Sequence, residues 1–192
     1  RRAARMQTMR YHHPDSMDFI RSKVKEDKKA LVLMENGYEP GMDGEAYQTV
    51  TYQNTNISVR LDDQFFEQLD KGGDVELRNV TDGAVIGKIS ADQMLKEISF
   101  GSWRVGDPAV QYESKIQEMH TCKNSGRINS SNPCSEYMFL DDTSCNLGST
   151  NLLKFADEQG NFDVESYISA NKTTAIALDI LNDSASYPVK EI

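Results

Sequence analysis

Apolar residues recur along this chain with two different periods, and the switches between them mark its elements. In 13–37, Met17, Ile20 and Val24 keep helical spacing, and a second stripe of Ala30, Leu33 and Met34 runs up to Gly37. This predicts a helix capped by Asp15 or Ser16, with Gly37 as its C′ residue. The stretch 4–10 (ARMQTMR) can extend. Residues 47–61 (YQTVTYQNTNISVRL), rich in β-branched and aromatic side chains, are the strongest strand candidate. Residues 62–73 predict a short helix opened by aspartate and stopped by glycine. Residues 74–90 alternate around Asp82-Gly83, a hairpin signal. Ser90 and Gln93 have capping-box spacing and open a helix to about Arg104, with Met94, Leu95, Ile98 and Trp103 as its apolar content. Residues 107–112 (DPAVQY) read as a strand. Residues 163–188 read as a long helix with Ile168, Ala175, Leu178 and Leu181 on one face, ending near Pro188. Strands alternating with helices indicate an α/β class.

One stretch has neither period. Residues 121–151 are polar, Ser/Asn-rich and about thirty long, and loops of that length are usually functional or disordered. This one carries Tyr137, Met138, Phe139, Leu140 and Leu147, which argues against compositional disorder.

Composition narrows the class. The 192 residues suffice for one domain with a real core. The longest purely apolar run, Ala30–Met34, is too short for a bilayer span or a signal-peptide core, so a cytoplasmic protein without a membrane partner is expected. Net charge of −9 argues against a nucleic-acid partner. The charge is uneven: residues 1–10 hold four arginines and no acid. Such a cluster suits a small anion such as a nucleotide phosphate, and it equally suits a solvated basic stub. Three cysteines at wide spacing do not form a secreted disulfide framework. The chain begins at Arg1 without Met and ends at SYPVKEI, which suggests a piece of a longer protein.

The sharpest local signal is Asn132-Pro133-Cys134-Ser135-Glu136. Pro133 pushes Asn132 toward an extended conformation. In an extended segment Asn132, Cys134 and Glu136 line one face, with neighbours roughly 7 Å apart. That face offers an amide, a thiol and a carboxylate able to act as base. A surface loop with one buried structural cysteine fits the same spacing. Cys145 follows Cys134 as C-x10-C, and Cys122 precedes it as C-x11-C; neither matches zinc or thioredoxin-like spacing, so no metal is expected. His120 with Cys122 is a weak ligand pair. A plain Cys134–Cys145 disulfide leaves Asn132 and Glu136 without a role.

The run NPCSEYMFLDDTSCNLGSTNL resembles the finger-loop signature of ribonucleotide reductase large subunits, and HTCKNSGRINSSNPCSEYMFLDDTSCNL is most similar to the adenosylcobalamin (vitamin B12)-dependent, class II branch. RRAARMQTMRYHHPDSMDFI resembles the Arg-rich specificity loop with its following strand and helix, and GEAYQTVTYQNTNISVRLDDQFF and GDPAVQY also match. The resemblance covers essentially the whole chain.

It implies a slice of a ten-stranded α/β barrel made of two half-barrels, with the radical cysteine on a central finger loop. Residues 1–12 would be the end of the specificity loop and the following strand, and 121–151 the finger loop and redox-cysteine segment. Cys134 would be the thiyl-radical residue, Glu136 the base on the 3′ hydroxyl, and Asn132 a ligand of the substrate hydroxyls. Cys145 would be one of two reducing thiols, with its partner upstream of this chain. Arg1, Arg2 and Arg5 would lie in the loop linking a dNTP effector to substrate choice. Burial of Cys134 would protect a thiyl radical, with Tyr137–Leu140 as shielding or as ordinary packing, and Cys122 would be structural. The implied cofactor is adenosylcobalamin. The implied partners are a ribonucleotide, a dNTP effector and a thioredoxin- or glutaredoxin-type reductant, with a homodimer left open. Three alternatives stand beside this: a class I large subunit with a separate metal-containing radical partner, a nucleotide-binding module without chemistry, and a simple thiol–disulfide protein.

Overall fold

A computed structural model describes residues 4–187 and 190. The chain divides into two compact units, Arg1–Asp141 and Asp142–Ile192.

The first unit is built on a parallel sheet of β1 (Arg5–Arg10), β2 (Thr55–Leu61) and β5 (Ala109–Tyr112), in the order β1-β2-β5. Parallel neighbours need crossovers. The first crossover runs through α1 (Ser16–Glu35) and the short α2 (Glu45–Gln48). The second runs through α3 (Asp63–Asp70), the antiparallel hairpin β3 (Asp74–Arg78) and β4 (Val85–Ser90), and α4 (Ala91–Val105). After β5 comes α5 (Glu113–Met119). The expected α/β class is therefore present, as an open sheet with helices.

Local chemistry sets most boundaries. The Asp62 carboxylate accepts the Phe65 N–H at 3.1 Å, and the Ser90 hydroxyl accepts the Gln93 N–H at 3.3 Å, each satisfying an orphan donor of the first helical turn. At the end of α1, Gly37 lies at φ 91°, and the N–H groups of Gly37 and Tyr38 bond the Met34 and Leu33 carbonyls. This is the paired closure that favours glycine at C′. Asp15 occupies the N-cap without a side-chain cap bond. The strand expected over 47–61 starts only at Thr55. Residues 45–48 are helical, and Tyr52 turns the chain at φ 67°, so β-propensity in YQTVTYQ yields to a turn.

The two faces of β2 have opposite jobs. Ile57, Val59 and Leu61 point to the helical side and are almost wholly buried. Val59 and Leu61 join Ile20 of α1, Phe65 of α3, Val75 of β3, and Met94 and Ile98 of α4 in one core. At about 25 cal/mol per Å² of apolar surface removed from water, this layer is the main source of stability. Gly101 lets α4 come close to the β5 entry: a Cβ there would lie 2.8 Å from the Asp107 carbonyl oxygen. Trp103, expected among the apolar content of α4, is instead 78 % exposed, since it lies off the stripe of Met94, Ile98 and Gly101 that faces the core.

The other face of the sheet is polar. Register puts Thr8, Ser58 and Ala109 in one row, and Arg10, Arg60 and Gln111 in the next. Arg60 is only 2 % exposed. Its Nε donates to Glu113 Oε2 in a short contact, Nη1 donates to Gln111 Oε1 at 3.2 Å, and Nη2 donates to the Ile128 carbonyl at 2.9 Å. Glu113 also accepts from Arg127. Burial alone would raise the Glu113 pKa, but Arg60, with Arg127 and Arg10, overcomes it and holds the carboxyl below its ordinary value.

The second unit contains a short 3-10 turn (Leu152–Phe155) and α6 (Val164–Ser184). Asp163 caps α6 by accepting the Ser166 N–H at 3.0 Å. Phe155, Phe162 and Tyr167 pack with ring centroids 5.4–6.2 Å apart. The expected apolar face of α6 is largely uncovered: Ile168 and Leu181 are exposed and no residue of α6 is buried. The helix stops at Ser184, short of Pro188, which lies outside the described residues. Among the described residues no helix is long and apolar enough to cross a membrane.

Removing one partner of a buried ion pair strands the other charge, at a cost of roughly 3–5 kcal/mol. In the intact protein Glu113→Gln is therefore expected to lower unfolding free energy by about that amount. Glu118→Gln, which breaks a fully exposed pair with Lys115, should leave stability almost unchanged, because solvent screens such a pair. Because folding depresses the Glu113 pKa, its contribution is present above the unfolded carboxylate value and is lost as pH falls through the lower folded one. Urea titrations of both variants, repeated on acidification, check this; equal effects of the two would contradict it.

Candidate active site

Residues 121–141 run along the polar side of the sheet with almost no secondary structure, apart from a 3-10 turn at Lys123–Ser125. Each of β1 and β2 supplies an anchor. The Thr8 hydroxyl donates to the Asn129 carbonyl at 3.1 Å, Asn56 Nδ2 donates to the Pro133 carbonyl at 3.1 Å, and Arg60 holds the Ile128 carbonyl. From α5, Gln117 clamps Ile128 at both ends: Nε2 donates to its carbonyl at 2.7 Å, and Oε1 accepts its N–H at 3.3 Å. A loop of this kind must satisfy its backbone polar groups without a ladder, and these side chains do so.

The loop carries Asn132, Cys134 and Glu136 as a turn and not as the expected extended strip. The Ser135 N–H donates to the Asn132 carbonyl at 3.0 Å, and Ser135 sits in the left-handed region at φ 66°. That conformation costs an L-residue roughly 1–2 kcal/mol. Two-residue alternation is lost, because alternation needs every residue to be extended. Asn132 fastens the far side of the turn, where its Oδ1 accepts the Tyr137 N–H at 2.9 Å. Cys134 and Glu136 are exposed, and Cys134 is a free thiol, so the structure does not show the expected burial of Cys134. Proline before it and a left-handed serine after it hold Cys134 at the apex.

Gln111 ties the turn to the sheet. Its Nε2 donates to Ser131 Oγ at 2.8 Å and to Ser135 Oγ at 3.2 Å, while its Oε1 accepts from Arg60. Spacing and motif do not single out Arg60, Gln111, Glu113, Ser131 or Ser135. The one signal that points to them is Arg60 itself, a charge inside the strand ISVRL whose neighbours are all apolar or small.

The aromatic cluster packs sideways. Phe139 meets the ring of the buried His120 edge-on at 6.0 Å, and Met138 and Phe139 line a pocket of about 500 Å³ with Tyr112, Ile116 and Met119. Cys122, expected to be structural, is exposed. Arg5 is exposed at the start of β1 and lines a polar pocket with Tyr47, Tyr52 and Asn54. Arg1 and Arg2 lie outside the described residues. Among the described residues no three His, Cys, Asp or Glu side chains are grouped to hold a metal ion.

In the second unit, Cys145 is exposed and its Sγ lies 3.7 Å from the Asn146 carbonyl. The following segment lies on α6. Asn146 Nδ2 donates to Asn182 Oδ1 at 2.7 Å, and a Cβ at Gly148 would be 3.1 Å from Thr174 Cγ2 and 3.2 Å from Leu178 Cδ1. Thr174, Leu178 and Asn182 are spaced by four, so one stripe of α6 seats this segment.

The family profile described as "Ribonucleotide reductase, barrel domain" matches residues 1–192. A protein of Rhodopirellula baltica named vitamin B12-dependent ribonucleotide reductase is 48 % identical over 100 % of this chain, which covers 19 % of that protein. A protein of the same name from Streptomyces avermitilis is 41 % identical over 100 % of the chain and 20 % of its own length. A vitamin B12-dependent ribonucleoside-diphosphate reductase of Thermoplasma acidophilum is 32 % identical over 100 % of the chain and 22 % of its own length. The chain thus spans about a fifth of the length of these curated relatives. With a family match along every residue and a loop that holds its cysteine at the apex of a braced turn, the chain belongs to the ribonucleotide reductase family, within the barrel domain.

Proposed function

We propose that the intact protein reduces ribonucleotides, as diphosphates or triphosphates, to 2′-deoxyribonucleotides by thiyl-radical chemistry, with adenosylcobalamin as cofactor. The observation that carries this is the free Cys134 thiol at the apex of the turn, between Asn132 and Glu136. The vitamin B12-dependent names of the relatives favour this cofactor over a separate metal-containing subunit. A binding module without chemistry has no use for an exposed thiol there, and a simple thiol–disulfide protein has none for Glu136.

The residues present fit that cofactor in one respect: Cys134 is exposed and unbridged, so its S–H hydrogen can be taken from outside the chain. No residue of 1–192 is assigned to hold the cofactor. When bound, adenosylcobalamin supplies a carbon-centred radical. The remaining steps fall to this protein's own groups. The Cys134 sulfur takes the 3′ hydrogen, forming S–H as C3′–H breaks. Glu136 takes the 3′-hydroxyl proton, and Asn132 orients the substrate hydroxyls. The 2′ oxygen leaves as water. Cys145 and a second thiol outside this chain become a disulfide: one of their two protons goes to the departing 2′ oxygen and makes it water, the other proton and both electrons go to C2′, and Glu136 returns its proton to the 3′ oxygen. Cys134 then returns its hydrogen to C3′. A thioredoxin- or glutaredoxin-type dithiol reduces the disulfide. Arg5, with Arg1 and Arg2, would contribute to binding a dNTP effector, and its place on a polar pocket beside Tyr47 and Tyr52 supports that role.

Three outcomes test these assignments in the intact protein. Cys134→Ser keeps the shape but replaces S–H with an O–H bond too strong to yield the radical, so turnover should vanish while nucleotide binding survives; deoxynucleotide formed by this variant would refute the assignment. Glu136→Gln should lower kcat by about 10²–10⁴-fold with little change in substrate affinity; a loss confined to affinity would make the carboxylate a positioning group only. Cys145→Ser should still permit cleavage of the 3′ C–H bond but fail to reduce the sugar, so that free base is released; normal turnover with a dithiol would show that Cys145 supplies no electrons.

A further inference from the structure

We infer that Gln111 is a positioning residue for Cys134: its amide transmits the rigidity of the buried Arg60–Glu113 pair to the turn that presents the thiol. The inference rests on the radical role proposed for Cys134.

The direction of the amide is fixed by its neighbours. A guanidinium only donates, so the Gln111 atom facing Arg60 must be the carbonyl oxygen. The NH₂ group then faces the other way, where two seryl oxygens stand at 2.8 and 3.2 Å. One donor group spans both sides of the turn, since Ser131 precedes Asn132 and Ser135 follows Cys134. The Ser131 and Ser135 hydroxyls also lie 3.3 Å apart, and the Ser131 hydroxyl donates to the Asn132 carbonyl at 2.8 Å. That carbonyl is the one that closes the turn by accepting the Ser135 N–H.

The bracing matters because Ser135 is left-handed without being glycine. Such a residue persists only where its surroundings over-determine it. Here the surroundings are Gln111, 2 % exposed on β5, and Arg60, 2 % exposed on β2 and held by Glu113 and Ile128. Without Gln111 the serine can relax toward its ordinary conformation, and the apex moves with it. Hydrogen abstraction is sensitive to placement: a displacement of about 1 Å can cost roughly 10²-fold in rate. Gln111 touches neither the thiol nor the substrate in this scheme, and its effect passes through the loop.

The test uses the intact protein with Gln111→Leu and, separately, Ser131→Ala, which lies in the loop and leaves the sheet untouched. Amide hydrogen exchange at Ser135 and Tyr137, whose N–H groups both bond to Asn132, should accelerate at least about tenfold in both variants. Exchange at Val59 and Leu61 in β2 should not change in Ser131→Ala, which separates a freed turn from a loosened sheet. In Ser131→Ala kcat should fall about 10-fold, and in Gln111→Leu up to about 100-fold, with KM within about twofold of the parent. Unchanged exchange at Ser135 and Tyr137 in both variants would overturn the inference, as would accelerated exchange with kcat intact. Turnover by Cys134→Ser would instead refute the radical assignment and leave the exchange result standing as a statement about the turn, so the two failures are distinguishable.

Discussion

A guanidinium taken out of water in the middle of a sheet is the constraint on which the first unit depends. Arg60 keeps its charge at any physiological pH, so the fold must provide acceptors for it. It does so with the Glu113 carboxylate, the Gln111 amide oxygen and the Ile128 carbonyl. Each belongs to a different piece of chain: the start of α5, strand β5 and the long loop. Satisfying one buried cation therefore fixes three segments against β2. A buried pair of this kind contributes little net stability compared with apolar packing. It also ties the loop to β2, because one of the Arg60 donors is met by the Ile128 carbonyl.

The two faces of β2 separate stability from function. Ile57, Val59 and Leu61, almost wholly buried, face the helices on the apolar side of the sheet. Asn56, Ser58 and Arg60, one residue out of phase, make the polar floor on which the loop lies. Period-two alternation thus lets a single strand hold the scaffold and orient the turn of Cys134. The loop can stay free of secondary structure because side chains of the sheet and α5 replace the ladder it lacks.

The helices α1, α3, α4 and α6, the hairpin, and β1 and β5 are legible in the sequence because their signals are local, whereas the short α2 and α5 are not read from it. Asp62 and Ser90 cap as their spacing predicts, and Gly37 closes α1. The 47–61 segment is only half legible: its composition favours a strand throughout, but Tyr52 turns the chain and pairing with β1 begins at Thr55. Trp103 departs from expectation because an apolar residue on a helix need not share the buried stripe. The chemistry of Asn132, Cys134 and Glu136 can be named from their types, but not their geometry. Ser135, at a left-handed φ, is hydrogen-bonded by Gln111, 24 residues away in sequence, and no local rule reports that contact. Arg60 is visible as a charge in an apolar strand, yet its partners are not, since they are long-range.

Everything proposed for the chemistry depends on Cys134, at the apex of this turn, carrying the radical. Electron paramagnetic resonance can observe that radical in the intact protein, frozen during turnover with adenosylcobalamin and ribonucleotide, after growth on cysteine deuterated at Cβ. A radical on Cys134 should give a signal whose hyperfine splitting narrows on deuteration in the parent and which is absent in Cys134→Ala. A signal indifferent to deuterated cysteine, or one that persists in Cys134→Ala, would contradict it.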